Sequence, residues 1–298
     1  MENVIFILAL LLIGKGLSRL AVFPANTFQT LANFVIYVSL PALILYETPR
    51  LEISTSVLTP IVMPWAMLLV SAVMVLLLSR AFRWRRATVG AMMLLVPLGN
   101  TSFLGIPMVE TLLGKECVAY ALLYDQFGSF LALTIYGSMV VAVYAGKERP
   151  TAGRVIKSII TFPPFIAMLA ALLFRVWPYP ASIGPLLKSV GATLVPIVMV
   201  AVGFKLQLRL PRQVHAPLGI GLVLKLVITP VLALAFCRLT GLHGPAVATS
   251  ILEAGMPPMI TAGAIAIAED LDSELSAAML GYGIVVSFAT LGLLVQVL

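Results

Sequence analysis

Two apolar stretches of this chain, each long enough to cross a bilayer, are broken in the middle. One reads Gly99-Asn100-Thr101-Ser102-Phe103-Leu104-Gly105-Ile106-Pro107, the other Leu252-Glu253-Ala254-Gly255-Met256-Pro257-Pro258-Met259-Ile260-Thr261. Glycine and proline stand where an unbroken helix wants neither. A break inside a membrane frees backbone N–H and C=O groups. These are tolerated only where protein or a water-filled cavity satisfies them. The two breaks occupy corresponding positions in two halves of the chain, so the fold must bring partners to both.

The membrane reading rests on composition. Of 298 residues, 61% are hydrophobic and only 10% charged, against about 25% charged in a soluble domain. The first apolar run begins at Val4, after Glu2 rather than a basic segment. No small-residue cleavage site clearly follows, so it reads as a retained span and not as a signal peptide. The net charge of +7 does not imply nucleic acid, because the basic residues sit in short loops between spans. Cys117 and Cys237 show no metal or redox spacing and read as free thiols. His215 and His243 read as solvated or interfacial.

A span needs about 20 apolar residues. Ten are placed near 4–22, 28–46, 57–80, 87–113, 117–145, 153–176, 183–205, 215–238, 245–268 and 274–297. Thirteen of the 19 Lys and Arg fall on one side, five on the other, and Lys225 inside a span. The rich side is cytoplasmic, which leaves both termini outside. Residues 1–146 and 147–298 are two halves of five spans each. Five is odd, so the second half enters the membrane from the opposite side and the repeat is inverted. Span two carries Pro41 within Ser39-Leu40-Pro41-Ala42-Leu43, and span seven carries Pro196, both at mid-depth. Spans four and nine are the broken ones, and a pseudo-twofold axis in the membrane plane would join their breaks at the midplane. The expected fold is all-α and integral to the membrane, with ten helices in a five-plus-five inverted repeat.

Matched breaks of this kind point to the binding site of a secondary transporter. Half-helix N-termini suit an anion, and unwound carbonyls and helix C-termini suit a cation. Gly99, Asn100, Thr101, Ser102 and Pro107 at the first break, and Gly255, Met256, Pro257 and Pro258 at the second, are the candidate substrate residues. Thr261 adds a hydroxyl beyond the second. Pro97, Pro163, Pro164 and Pro230 read as kinks alone. Three ionisable residues within spans need an explanation, since charge there costs about 2.5–3.5 kcal/mol on insertion scales. Glu253, at the lip of the second break, is a candidate cation ligand or proton carrier. Asp125, a third of the way into span five, is another. Lys225, in span eight, reads equally as functional or as snorkelling to the interface. A carboxylate shorn of water favours its neutral form, which suits it to carrying a proton. Glu110 lies nearer an outer span end.

At these residues the chain resembles the auxin efflux carrier family, whose bacterial members are described as malonate, malate or related carboxylate permeases. Asn100-Thr101 through Gly105-Ile106-Pro107 looks like the family's first crossover, and Met256-Pro257-Pro258-Met259 like the second. Ser39-Leu40-Pro41, with Leu43, is similar to the segment facing the substrate. The resemblance covers essentially the whole chain. It implies the bile-acid sodium symporter-like fold, with spans one, two, six and seven as a scaffold. Spans three to five and eight to ten would form a transport domain that moves by an elevator-like step. It also implies a homodimer through spans two and seven. Glu253-Ala254-Gly255-Met256 is similar to a Glu-x-Gly-Met run that helps bind sodium in bile-acid transporter relatives. That run continues Gln-Asn there and Pro257-Pro258 here. No cofactor is expected beyond a coupling ion, either Na⁺ at Glu253, Asn100 and Thr101 or a proton.

The leading reading is a secondary active carrier of small organic anions, coupled to H⁺ or Na⁺, in a bacterial inner membrane. A channel or a substrate sensor on the same scaffold stays open. An intramembrane enzyme is not expected, since no His/Asp metal cluster or Gly-x-Ser-x-Gly motif stands out.

Overall fold

The structure is a computed structural model that describes residues 2–24, 26–51, 57–180, 182–206, 208 and 214–298. Residues 207 and 209–213, in the loop expected between spans 183–205 and 215–238 and including Arg209 and Arg212, lie outside the described residues. Among those described, the regular elements are helices: α1 Glu2–Leu17, α2 Thr27–Arg50, α3 Leu58–Ala81, α4 Arg86–Leu95, α5 Ile106–Leu112, α6 Lys115–Tyr144, α7 Ala152–Ile160, α8 Pro163–Phe174, α9 Ile183–Lys205, α10 His215–Leu239, α11 Pro245–Ala254, α12 Ile260–Ala268 and α13 Ser273–Val297.

Six of these (α2, α3, α6, α9, α10 and α13) are long and apolar enough to cross a membrane, and α7 with α8 makes a seventh if the bent pair is one span. The remaining expected spans fall on α1 and on two interrupted pairs, α4 with α5 and α11 with α12. Large apolar side chains such as Leu69, Leu77 and Leu239 stand exposed, as an outer surface facing lipid requires. Expected span 153–176 is sharply bent, by 64° between α7 and α8. Phe162 takes an extended conformation, as a residue before proline must, and Pro163 then starts α8 afresh. α7 carries Arg154 and Lys157 and buries none of its residues. Its first turn is capped by the Thr151 hydroxyl, which accepts from the Arg154 N–H.

Three prolines inside spans share a mark, although Pro64 sits in the unbroken α3 without one. Pro41 follows a wide π-type turn at Val35–Ser39, Pro107 one at Thr101–Gly105, and Pro230 one at Leu224–Ile228. In each case the proline stands two residues past the turn. Proline brings no N–H and its ring crowds the carbonyl four residues back, and widening the preceding turn relieves both. These turns also carry buried polar residues: Ser39, Thr101 and Lys225 all sit on them. A fourth wide turn, Tyr124–Phe130, carries Asp125 and Gln126.

Helices pack in two sets. α1 lies along α9, and α2 packs against α8 and α9. In the other set α3 packs on α6 and α11, α4 on α6 and α12, and α10 on α11 and α13. Contact between the sets runs through the Thr101–Gly105 turn against α9, α1 against α5, and α6 against α2, α7 and α8. α1 and α9 meet backbone to backbone. A Cβ on Gly14 would overlap the Val200 carbonyl, and one on Gly203 the Leu11 carbonyl, the close approach that small residues permit between membrane helices.

Candidate functional site

The two breaks cross. α4 ends at Leu95, and Pro97 cannot continue it. α11 ends at Ala254, ahead of Gly255 and the Pro257-Pro258 pair. The freed segments run antiparallel and pair through their backbones. The Asn100 N–H donates to the Pro257 carbonyl at 2.8 Å, and the Met259 N–H to the Leu98 carbonyl at 3.0 Å. Gly99 and Pro258 form the bridge between them. The Asn100 carbonyl then accepts from Gly105 at 2.9 Å and starts the turn leading to α5. Each break thus satisfies much of the other's exposed backbone.

This crossing has two chemically different sides. Helix starts gather on one. Asn100, Ser102 and Phe103 from the first, with Met259 and Thr261 from the second, line a cavity of about 150 Å³. Asp125, Phe130 and Leu133 of α6, Ile36 and Leu40 of α2, and Phe162 between α7 and α8 complete it. Phe130 and Phe162 stack there with ring centroids 4.1 Å apart. Helix starts carry positive partial charge. The Asn100 side chain is 3% exposed, and its Nδ2 has no protein partner.

Helix ends gather on the other side. Leu98, Gly99, Glu253 and Ala254 line a small cavity of about 10 Å³ with Lys225, Thr229, Tyr124, Thr101 and Ser129, on the order of one water molecule. Lys225 does not snorkel. It is 2% exposed, and its ammonium donates to the Ala254 carbonyl at 3.4 Å. The Glu253 carboxylate is fully buried, and neither oxygen has a hydrogen-bond partner. It lies against Gly105, where any Cβ would overlap it.

Asp125 joins the two sides. Its Oδ1 accepts from the Thr101 hydroxyl at 2.5 Å and from the Ser102 hydroxyl, and its Oδ2 from the Gln126 amide at 2.7 Å. Thr101 and Ser102 thus spend their hydroxyl protons on Asp125, leaving Asn100 as the unpartnered donor of the first break. We expect Asp125→Asn to lower stability by about 1.5–3 kcal/mol, the worth of a hydrogen bond to a charged acceptor. A wild-type melting temperature in that variant would show that the three donors find other partners.

The remaining candidates are spread around this centre. Pro107 is buried at the start of α5. Pro257 and Pro258 form the crossing backbone, while Gly255 packs against Leu294 and Pro230. Met256 is fully buried. Pro41 continues α2 past its wide turn. Leu43 lines a larger vestibule of about 780 Å³ between α2, α9 and α5, with Arg50, Lys115, Lys188, Glu47 and Glu110. The sodium candidates do not share one space: Asn100 lines the larger central cavity, Glu253 and Thr101 the smaller. Among the described residues no group of three or more His, Cys, Asp or Glu is placed to hold a metal ion. Both cysteines are free and buried.

Sequence reasoning missed Phe130, Leu133, Phe162, Ile36 and Gln126. Asp125 and Phe130 are five apart, which a regular α-helix would put on different faces. The π-type turn at Tyr124–Phe130 puts them on one.

Comparison with known proteins agrees with this architecture. The family model described as membrane transport protein matches residues 1–295. An "Uncharacterized transporter" of Methanothermobacter thermautotrophicus is 29% identical, covering 98% of this chain and 96% of the relative. Another, from Methanocaldococcus jannaschii, is 24% identical over 93% of this chain and 92% of the relative. A Rhizobium meliloti protein named "Putative malonate transporter" is 26% identical over 83% and 80%. With its apolar spans, the chain is a multi-pass integral membrane protein and not an enzyme. It belongs to the membrane transport protein family, the one to which its likeness to auxin efflux carriers pointed.

Proposed function

We propose that this protein is a secondary carrier of small organic anions, with mono- and dicarboxylates as the substrate class. The carrying observation is the sorting of helix ends at the crossing. Both helix starts and the unpartnered Asn100 amide line the 150 Å³ cavity, where a carboxylate would be held. The volume suits a ligand of a few carbons, well below the roughly 300–1,000 Å³ of drug-sized pockets. The name of the Rhizobium relative directs attention to malonate. Arg50, Lys115 and Lys188 at the vestibule would raise the local concentration of anions. Asp125 also lines the cavity, and two carboxylates share such a space only with a proton between them, so the coupling ion is H⁺.

On this reading the chain has ten spans in a five-plus-five inverted repeat, 1–146 and 147–298. α1, α2, α7 to α9 form a scaffold, and α3 to α6 with α10 to α13 form a transport domain that slides as an elevator. The packing sets and the cavity between them support it. Both termini outside, a bacterial inner membrane and a homodimer through α2 and α9 complete the proposal.

Thermal stabilisation by a panel of two- to four-carbon carboxylates tests it, since a ligand of the native state raises stability by RT ln(1 + [L]/Kd). We expect a saturable shift from at least one carboxylate, larger at acid pH, and counterflow of that compound in liposomes. No shift from any anion would sink the carboxylate reading. Flux without counterflow would favour a channel.

A further inference from the structure

α7 is apolar on one face and basic on the other, and the rest of the protein leaves much of both uncovered. At about 100° per residue, Val155, Ile156, Ile159 and Ile160 share one face, and Arg154, Lys157 and Ser158 the other. Ile156 is 56% exposed and Ile160 58%. Arg154 and Lys157 are exposed as well, and among the described residues neither has an ion-pair partner. No acidic residue stands between Arg149 and Thr161. Lys147, just upstream, is already taken by Glu269 at 3.2 Å.

The bend after α7 sets its attitude. Its nine residues make a rod about 13 Å long. Inclined at 64° to α8, such a rod climbs only about 6 Å in the direction of that span. A basic face, an apolar face and little change in depth describe a helix lying in the headgroup boundary. Arginine and lysine reach headgroups from there while their stems stay among the acyl chains. Charge decides what covers the helix. A second copy of α7 would bring the same two cations against these, and neutral lipid would leave them uncompensated. Anionic headgroups compensate them.

We propose that α7 is an interfacial helix that binds anionic lipid, with Arg154 and Lys157 on headgroup phosphates and Ile156 and Ile160 among the acyl chains. The span that follows crosses as α8. Phe162 joins the two helices and stacks on Phe130 in the wall of the central cavity, so a helix held by headgroups fixes that wall relative to the membrane. Lipid binding does not depend on what the protein carries, and it is read without substrate.

The purified protein would be reconstituted in nanodiscs of phosphatidylcholine, alone or mixed with phosphatidylglycerol, and melted without any carboxylate. We expect wild type to melt on the order of 2–4 °C higher with phosphatidylglycerol, and high salt to remove the difference. Arg154→Gln/Lys157→Gln should melt like wild type in phosphatidylcholine and lose most of the gain from phosphatidylglycerol. Arg80→Gln/Arg83→Gln, the same change of charge around the end of α3, should keep it. No gain in wild type, a gain that survives high salt, or an equal loss in both variants would overturn the proposal. So would an equal gain from soluble glycerol phosphate in phosphatidylcholine discs, which would make this a site for free anions. A smaller particle on sizing for Ile156→Ser/Ile160→Ser would put a second copy on the face and overturn it too.

Discussion

Asn100→Ala should reduce saturable uptake by roughly 10- to 100-fold while the melting temperature moves little. The side chain is buried and lines the 150 Å³ cavity, yet its amide has no protein partner. Its structural work is done by the backbone: the N–H bonds Pro257 and the carbonyl accepts from Gly105, and alanine keeps both. What alanine removes is a donor to the substrate. A hydrogen bond to a charged group is worth about 1.5–3 kcal/mol, or about one to two powers of ten in affinity. Uptake in proteoliposomes and melting of the same preparation would be measured together. Wild-type uptake would remove Asn100 from the substrate site. An unfolded protein would make it structural.

A second large effect is expected far from the cavity. Gly14→Leu should destabilise the protein severely, whereas Gly16→Leu, two residues along the same helix, should be silent. A side chain at Gly14 meets the Val200 carbonyl of α9, and at Gly16 nothing lies within 4 Å. The obstacle at Gly14 is backbone, so no rotamer relieves it and α1 must leave α9. Overpacking of a closed interface costs about 1–3 kcal/mol or more, and both variants add the same side chain. Size-exclusion profiles and melting temperatures of the pair would be compared. Equal stability of the two would mean that α1 and α9 are not in backbone contact in the membrane.

Much of this was legible in the residues. Gly99, Gly255 and Pro257-Pro258 marked the two breaks, and two matched breaks in a membrane must find partners, whereas Pro97, which read as a kink alone, lies in the break that ends α4. That they meet was legible, but that they meet as an antiparallel backbone pair was not. The rotation of side chains about their helix axes was not legible. Lys225 at a given depth faces lipid, interface or crossing according to a wide turn that has no residue signature beyond the proline two places on. The same holds for Phe130 beside Asp125. Pro163-Pro164 announced a kink but not its size, because a bend of 64° depends on what α7 finds to lie against. The hydroxyls of Thr101 and Ser102 looked free because Asp125 is more than twenty residues away in sequence, and nothing local marks it as their acceptor.

The crossing also sets the order in which the chain can be finished. When the ribosome has made the first half, the Asn100 N–H and the Leu98 carbonyl are already committed to the membrane, while Pro257 and Met259 do not yet exist. Unpaired peptide groups are costly in hydrocarbon, so the nascent first half must hold its break in a provisional arrangement until the complementary strand is inserted. Membrane insertion and folding are therefore separated in time. The four atoms that join Asn100 to Pro257 and Met259 to Leu98 close the molecule only after nearly all of it has been translated.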